Sequence, residues 1–136
     1  MKNARCLLFV VASLALTSCS TSTCPFAPAS PKHGKIEHIV LAWLKQPGNA
    51  GDRAKLIAAA KSLKAQIKEV QSLDVGLAVP SDRPVVDSSF DVGLVMSFNS
   101  KADLDSYGKN PAHVKALTEV LKPLTKRMQV YDIAAQ

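Results

Sequence analysis

The sequence predicts a single α+β domain of order β-α-β-β-α-β, and three patterns carry that prediction. Residues 35–44 are dominated by apolar side chains, with β-branched Ile36, Ile39 and Val40, as in a strand buried on both faces. Residues 90–98 alternate instead, with Phe90, Val92, Leu94, Met96 and Phe98 on one face and Asp91, Gly93, Val95 and Ser97 on the other. Leu56, Ala60, Leu63, Ile67 and Val70 recur at steps of three and four, as the apolar side of one helix, and Val114, Leu117, Val120 and Leu121 form the apolar side of another.

The first strand places Ile36, His38, Val40, Ala42 and Leu44 on one face and Glu37, Ile39, Leu41 and Trp43 on the other, and stops at the turn Gln46-Pro47-Gly48. Asp52 is a candidate cap for the helix that follows, which is expected to end near Leu73. A short strand over 74–79, closed by Pro80-Ser81-Asp82-Arg83-Pro84, is expected to pair antiparallel with the strand over 90–98. Asn99-Ser100-Lys101 opens a short helix through Leu104 and Tyr107, and after the Gly108-Lys109-Asn110-Pro111 break a second begins with Pro111 in its first turn. Pro123 kinks or ends that helix, and residues 127–133 form the last strand. This order is the split βαβ arrangement of ferredoxin-like folds, with the first and third strands central in an antiparallel sheet. Helices cover one face of such a sheet. The other face here is also apolar, which predicts a two-fold homodimer that buries it.

At 136 residues the chain has room for one core. Apolar residues make up 47% of it, partly because of the first eighteen, and no later segment is long and apolar enough to cross a bilayer. Residues 1–18 read as an export signal: Lys2 and Arg5 precede an apolar run over 6–16, followed by small residues. The run ends in Leu16-Thr17-Ser18-Cys19, which resembles the lipobox of bacterial lipoproteins. That resemblance implies lipidation of Cys19 and, with Ser20 rather than Asp after it, the outer membrane, facing the periplasm. The alternative is an ordinary secretory signal cut nearby. Residues 19–34, rich in Ser, Thr and Pro, form a spacer, and the domain occupies 35–136. Cys24 reads as an incidental tail cysteine or a site for an intermolecular disulfide. Loss of Lys2 and Arg5 with the signal lowers the net charge from +6 to +4. The lysines, such as Lys55, Lys61, Lys64 and Lys68, are spread over helix faces without interleaved aromatics, so no nucleic-acid partner is expected.

Four stretches resemble the stress-responsive α/β barrel (Dabb) family: Glu37-His38-Ile39-Val40-Leu41, residues 89–98, Tyr107 followed by Asn110-Pro111-Ala112-His113-Val114, and Val130-Tyr131-Asp132. Together they span residues 35–134. The resemblance implies a dimeric α/β barrel in which two sheets close face to face. The family usually has a second His before Pro-Ala-His, where Asn110 stands here. Its members include plant stress-induced proteins, metal-binding proteins and olivetolic acid cyclase, a polyketide cyclase. His38, Tyr107 and His113 match pocket positions of the cyclase, while a further cyclase histidine falls at Asp91.

These four residues form the candidate catalytic set: His113 as base, Tyr107 as polariser of a carbonyl, and His38 with Asp91 as an orienting pair. Structural roles stand beside each. His38 also reads as a hydrogen-bonded core histidine, His113 as a docking or capping group in a helix's first turn, Tyr107 as a packed ring, and Asp91 as an edge-directed charge or a partner for Arg127. Asp132 can cap the last strand or pair with a lysine. His38, His113 and Asp91 lack the short spacings that fix a metal site, and phosphate loops, dinucleotide fingerprints and nucleophile motifs are absent, so neither metal nor cofactor is expected. Two functions follow: an envelope module that binds a small apolar or aromatic ligand or serves a stress-related role, or a cofactor-free lyase, cyclase or oxygenase acting on a carbonyl compound.

Overall fold

The computed structural model describes residues 35–136, so the segment read as an export signal, Cys19, Cys24 and the whole of the 19–34 spacer lie outside the described residues. The chain runs β1 (Ile36–Leu44), α1 (Ala50–Gln66), β2 (Ser72–Gly76), β3 (Val92–Phe98), α2 (Lys101–Lys109), α3 (Pro111–Ala116), a π-helical turn (Leu117–Leu121), α4 (Lys122–Leu124) and β4 (Thr125–Ala134). The four strands form one antiparallel sheet in the order β2-β3-β1-β4, which is the ferredoxin-like α+β fold.

Strand pairing explains the face assignments. His38 lies opposite Met96 on β3 and Asp132 on β4, and Val40 opposite Leu94 and Val130, so these side chains share the helix-covered face. Two apolar clusters fill that side. One joins Ile36, Phe98, Leu104 and Tyr107 to Leu63, Ile67 and Val70, and the other joins Ala42, Leu44 and Val92 to Leu56. On the opposite face, Ile39 and Leu41 are partly covered, while Val95, Tyr131 and Ile133 are exposed.

Several boundaries differ from the sequence reading, each for a local reason. Helix α1 starts earlier because Asn49, not Asp52, is its cap: the Asn49 side chain accepts from the Asp52 amide at 3.0 Å. It also ends earlier, at Gln66, yet Ile67 and Val70 remain fully buried, because the Ile67 amide still bonds to the Leu63 carbonyl while the chain turns into β2. Strand β2 begins at Ser72 rather than 74, set by its register from Ser72 opposite Ser97 to Gly76 opposite Gly93. The third strand starts at Val92, and β4 starts two residues before the expected 127. Pro123 marks the end of the helical segment as expected: α4 stops at Leu124 and β4 begins at Thr125. The proline's missing N–H and its ring are accommodated by the preceding π turn, in which the Lys122 amide reaches back five residues to the Leu117 carbonyl.

Asp91 anchors the β1–α1 turn. Its buried carboxylate accepts from the Leu44 amide at 2.9 Å, the Gly48 amide at 2.7 Å and Arg53 Nη2 at 3.0 Å. Gly48 has φ +78°, which a side chain there would strain. Arg127, the partner considered for Asp91, instead stacks its guanidinium 4.2 Å from the centre of the Trp43 ring. Burial pushes the Asp91 carboxyl up, but the two amides and Arg53 outweigh it and hold the group below the usual carboxylate range. The stability it contributes is therefore present above the unfolded pKa of about 3.9 and lost as pH falls through the lower folded value. Asp91→Ala, which strands two amides and a guanidinium, should lower the unfolding free energy by about 2–3 kcal/mol at neutral pH, read from urea denaturation.

Candidate functional site

A cavity of about 330 Å³ lies between the sheet and the helices. Its walls come from alternate residues of β1, β3 and β4, from the inner side of α1, and from the segment that runs from α2 through the π turn. Almost all of its lining is aliphatic, with Val40, Ala42, Leu94, Leu117 and Leu121 among the contributors. Polar groups enter at a few points only: His38, Tyr107, His113 and Lys122. Its volume sits at the small end of the roughly 300–1,000 Å³ usual for ligand sites.

His38, Tyr107 and His113 converge at one end. The Tyr107 ring lies 4.4 Å from that of His113 and 5.9 Å from that of His38, with Phe98 behind it at 5.1 Å. Tyr107 sits late in α2, on the buried side with Leu104. His113 is brought back over it by the tight α2–α3 junction, where Asn110 caps α3 through its side chain on the Ala112 amide at 2.9 Å. Asn is among the best residues for that role. The replacement of the usual family histidine at 110 thus leaves a capped helix start directly beside the site.

Hydrogen bonding sets the ring orientations. His38 Nδ1 lies 2.6 Å from Asp132 Oδ1 on the neighbouring strand. A carboxylate can only accept, so Nδ1 carries the proton and, in the neutral ring, Nε2 keeps a lone pair. His113 Nδ1 approaches the Gly108 carbonyl at 3.2 Å, with the same consequence for its Nε2. Burial pushes His113 below its ordinary value, more than the Gly108 bond raises it, and the neighbouring His38 lowers it further. Burial also raises the Tyr107 hydroxyl to about 12, so it stays a donor at neutral pH. Among the described residues that hydroxyl has no hydrogen-bond partner, and Tyr107 is one of the residues that line the cavity.

Asp91 is not part of this group. It lies on the β1–α1 turn, and the partner of His38 is Asp132, so the orienting pair read from the sequence is corrected to His38 with Asp132. The β1–β4 register makes this pairing: residues 38 and 132 stand opposite each other on adjacent antiparallel strands, both on the helix-facing side. With Asp91 elsewhere, the three ligands weighed for a metal do not meet, and among the described residues no group of three His, Cys, Asp or Glu could hold an ion. Nothing in the sequence pattern had marked Lys122.

A ferredoxin-like domain with a ligand-sized cavity and a Tyr/His cluster at one end is the class that fold and site define. Residues 36–135 match the stress responsive A/B barrel domain, Dabb, and the chain belongs to that family. Among solved structures it is similar to a Dabb family protein with a ferredoxin-like fold from Mesorhizobium loti, at 22% identity over 76% of this chain and 99% of that one, with a TM-score of 0.63. A dimeric ferredoxin-like protein from Bacteroides fragilis matches at 22% identity over 75% and 97%, with a TM-score of 0.60. Hydroxynitrile lyase from Passiflora edulis matches at 18% identity over 78% and 96%, with a TM-score of 0.67. No curated protein sequence matches the chain.

His113 should titrate with a midpoint below 6.5 in a proton NMR series on its ring. Because its folded pKa is depressed, the unfolded chain binds the proton first as pH falls. The domain should therefore lose stability from about pH 6.5 down through the folded value. In His113→Gln that loss should flatten. A midpoint above 6.5 would contradict the assignment of burial as the dominant influence.

Proposed function

We propose that the domain binds a small, largely aliphatic molecule bearing a carbonyl group in the cavity between sheet and helices. The observation that carries this reading is the combination of a 330 Å³ aliphatic space with Tyr107, His113 and His38 gathered at one end. The aliphatic walls favour the body of such a ligand, and the unpartnered Tyr107 hydroxyl offers its oxygen a hydrogen bond. Titration with medium-chain ketones, followed by calorimetry, should give saturable binding that weakens about three- to tenfold in Tyr107→Phe, the equivalent of one net hydrogen bond. Binding unchanged by Tyr107→Phe and by His113→Ala would sink this assignment of the polar end.

A second reading, as a cofactor-free lyase, cyclase or oxygenase, is favoured by one feature. His113 is a largely neutral imidazole with a bare Nε2 in ring contact with a Tyr that stays protonated. With a carbonyl oxygen on Tyr107, Nε2 of His113 could take a proton from the adjacent carbon while the hydroxyl stabilises the enolate oxygen. His38, held by Asp132, would then orient the substrate or relay the proton. The Passiflora relative, whose name records a lyase, fits this reading. Exchange of α-deuterium from a bound ketone, abolished in His113→Ala and retained in Asp91→Asn, distinguishes it from simple binding.

The open sheet face supports a two-fold homodimer, as the Bacteroides relative is described as dimeric. Ile39, Leu41, Val95, Tyr131 and Ile133 together form an apolar surface that a second copy would cover. Sedimentation should give a dimer for the domain and a monomer for Ile39→Glu with Ile133→Glu, both folded by circular dichroism.

At the cell level, the Leu16-Thr17-Ser18-Cys19 run supports a lipid anchor on Cys19 and placement in the outer membrane, facing the periplasm. Palmitate should label the full chain and not Cys19→Ala, and the variant should leave the membrane fraction.

A further inference from the structure

The cavity has a second polar position, far from the first. Along β1, His38 and Ala42 are four residues apart, roughly 13 Å at the rise of a strand. Ala112 and Ala116 pack at the Tyr107 end, whereas Leu121 and Leu124 pack with Met128 against Ala42 and Leu44 at the other. Lys122, between Leu121 and Leu124, lines the cavity at that far end.

The backbone accounts for its position. In the π turn the bonded pair is five residues apart, with the Lys122 amide on the Leu117 carbonyl, and the widened turn directly precedes Pro123, which has no N–H to give. The ammonium side chain is carried onto the side of the segment that faces Leu117 and Leu121. Lys122 is itself exposed, so its stem can cover the cavity edge while its charge stays near water. Among the described residues no carboxylate pairs with it. Glu119, three residues earlier, belongs to a separate outer groove between α1 and α3, and Asp132 is held by His38. No Asp or Glu lines the cavity, so the charge presented to a ligand at this end is positive.

We propose that the ligand is an anionic amphiphile: an aliphatic molecule with a carbonyl at the Tyr107–His113 end and a carboxylate at the Lys122 end. This rests on the reading of the cavity as a carbonyl-compound site and adds the second functional group. Lys122 then acts as the specificity-determining residue, selecting oxo acids over neutral ketones of the same length.

Two ligands of equal length separate the ideas. In 2-octanone the far end is a methyl group, and in 7-oxooctanoate it is a carboxylate, with the carbonyl in the same place. Calorimetric titration of the intact protein should show both binding. Lys122→Met should weaken 7-oxooctanoate about fivefold, the upper range for one exposed ion pair, and leave 2-octanone within twofold. Lys122→Arg should restore the acid. An equal effect of Lys122→Met on the two ligands, or none on the acid, overturns the role of Lys122 while leaving the cavity reading intact. Failure of the wild-type protein to bind either compound overturns the cavity reading, and this inference with it.

Discussion

Strand β1 is hydrogen-bonded on both sides, to β3 over seven residue pairs and to β4 along nearly its whole length, and everything else in the domain is arranged around it. A strand in that position has no free hydrogen-bonding edge, and because its side chains are largely apolar on both sides it presents two faces to be covered. One face meets the helices. The other, with Ile39 and Leu41, is the face that the proposed dimer would cover, so the fold and that proposal both start from the same nine residues.

The same constraint produces the site. His38 is a polar residue on the helix-facing side of the most enclosed strand, and such a group is tolerated only with a partner. Asp132, directly across on β4, supplies it and fixes the ring. The helical layer then fails to fill the space above Val40 and Ala42, because the segment after α3 widens into a π turn ahead of Pro123 instead of continuing as a tight helix. A capped α2–α3 junction sets His113 against Tyr107 at one end of that space, and the π turn sets Lys122 at the other. The cavity is thus bounded by two irregularities of one helical stretch, each caused by a proline and its neighbours.

Much of this is legible in the amino-acid pattern, and the parts that are not share a cause. The two-sided apolar run of β1, the strict alternation of β3 and the Tyr107 to Pro111-Ala112-His113 spacing are local signals, and the structure has each of these elements, with β3 starting two residues later than the alternation does. Local capping is less certain to read: Asp52 and Asn49 are both good caps, and only the geometry of the turn held by Asp91 decides for Asn49. Long-range pairing is harder still. Asp91 could be matched with His38 or Arg127 on chemistry alone, whereas the actual partners, Arg53 and two backbone amides, depend on how the turn after β1 folds back. The role of Asp132 needed the β1–β4 register, and the cavity position of Lys122 needed a π turn that no periodicity announces.

Filling the cavity tests its role most directly. Ala42 is buried on β1 and lines the space toward its Lys122 end, and a larger aliphatic or aromatic side chain there would project into it without disturbing strand pairing. With Ala42→Phe, thermal unfolding and the sedimentation state should be retained while ketone binding falls at least tenfold. A folded Ala42→Phe variant that binds ketones as tightly as the wild type would show that the ligand site lies elsewhere.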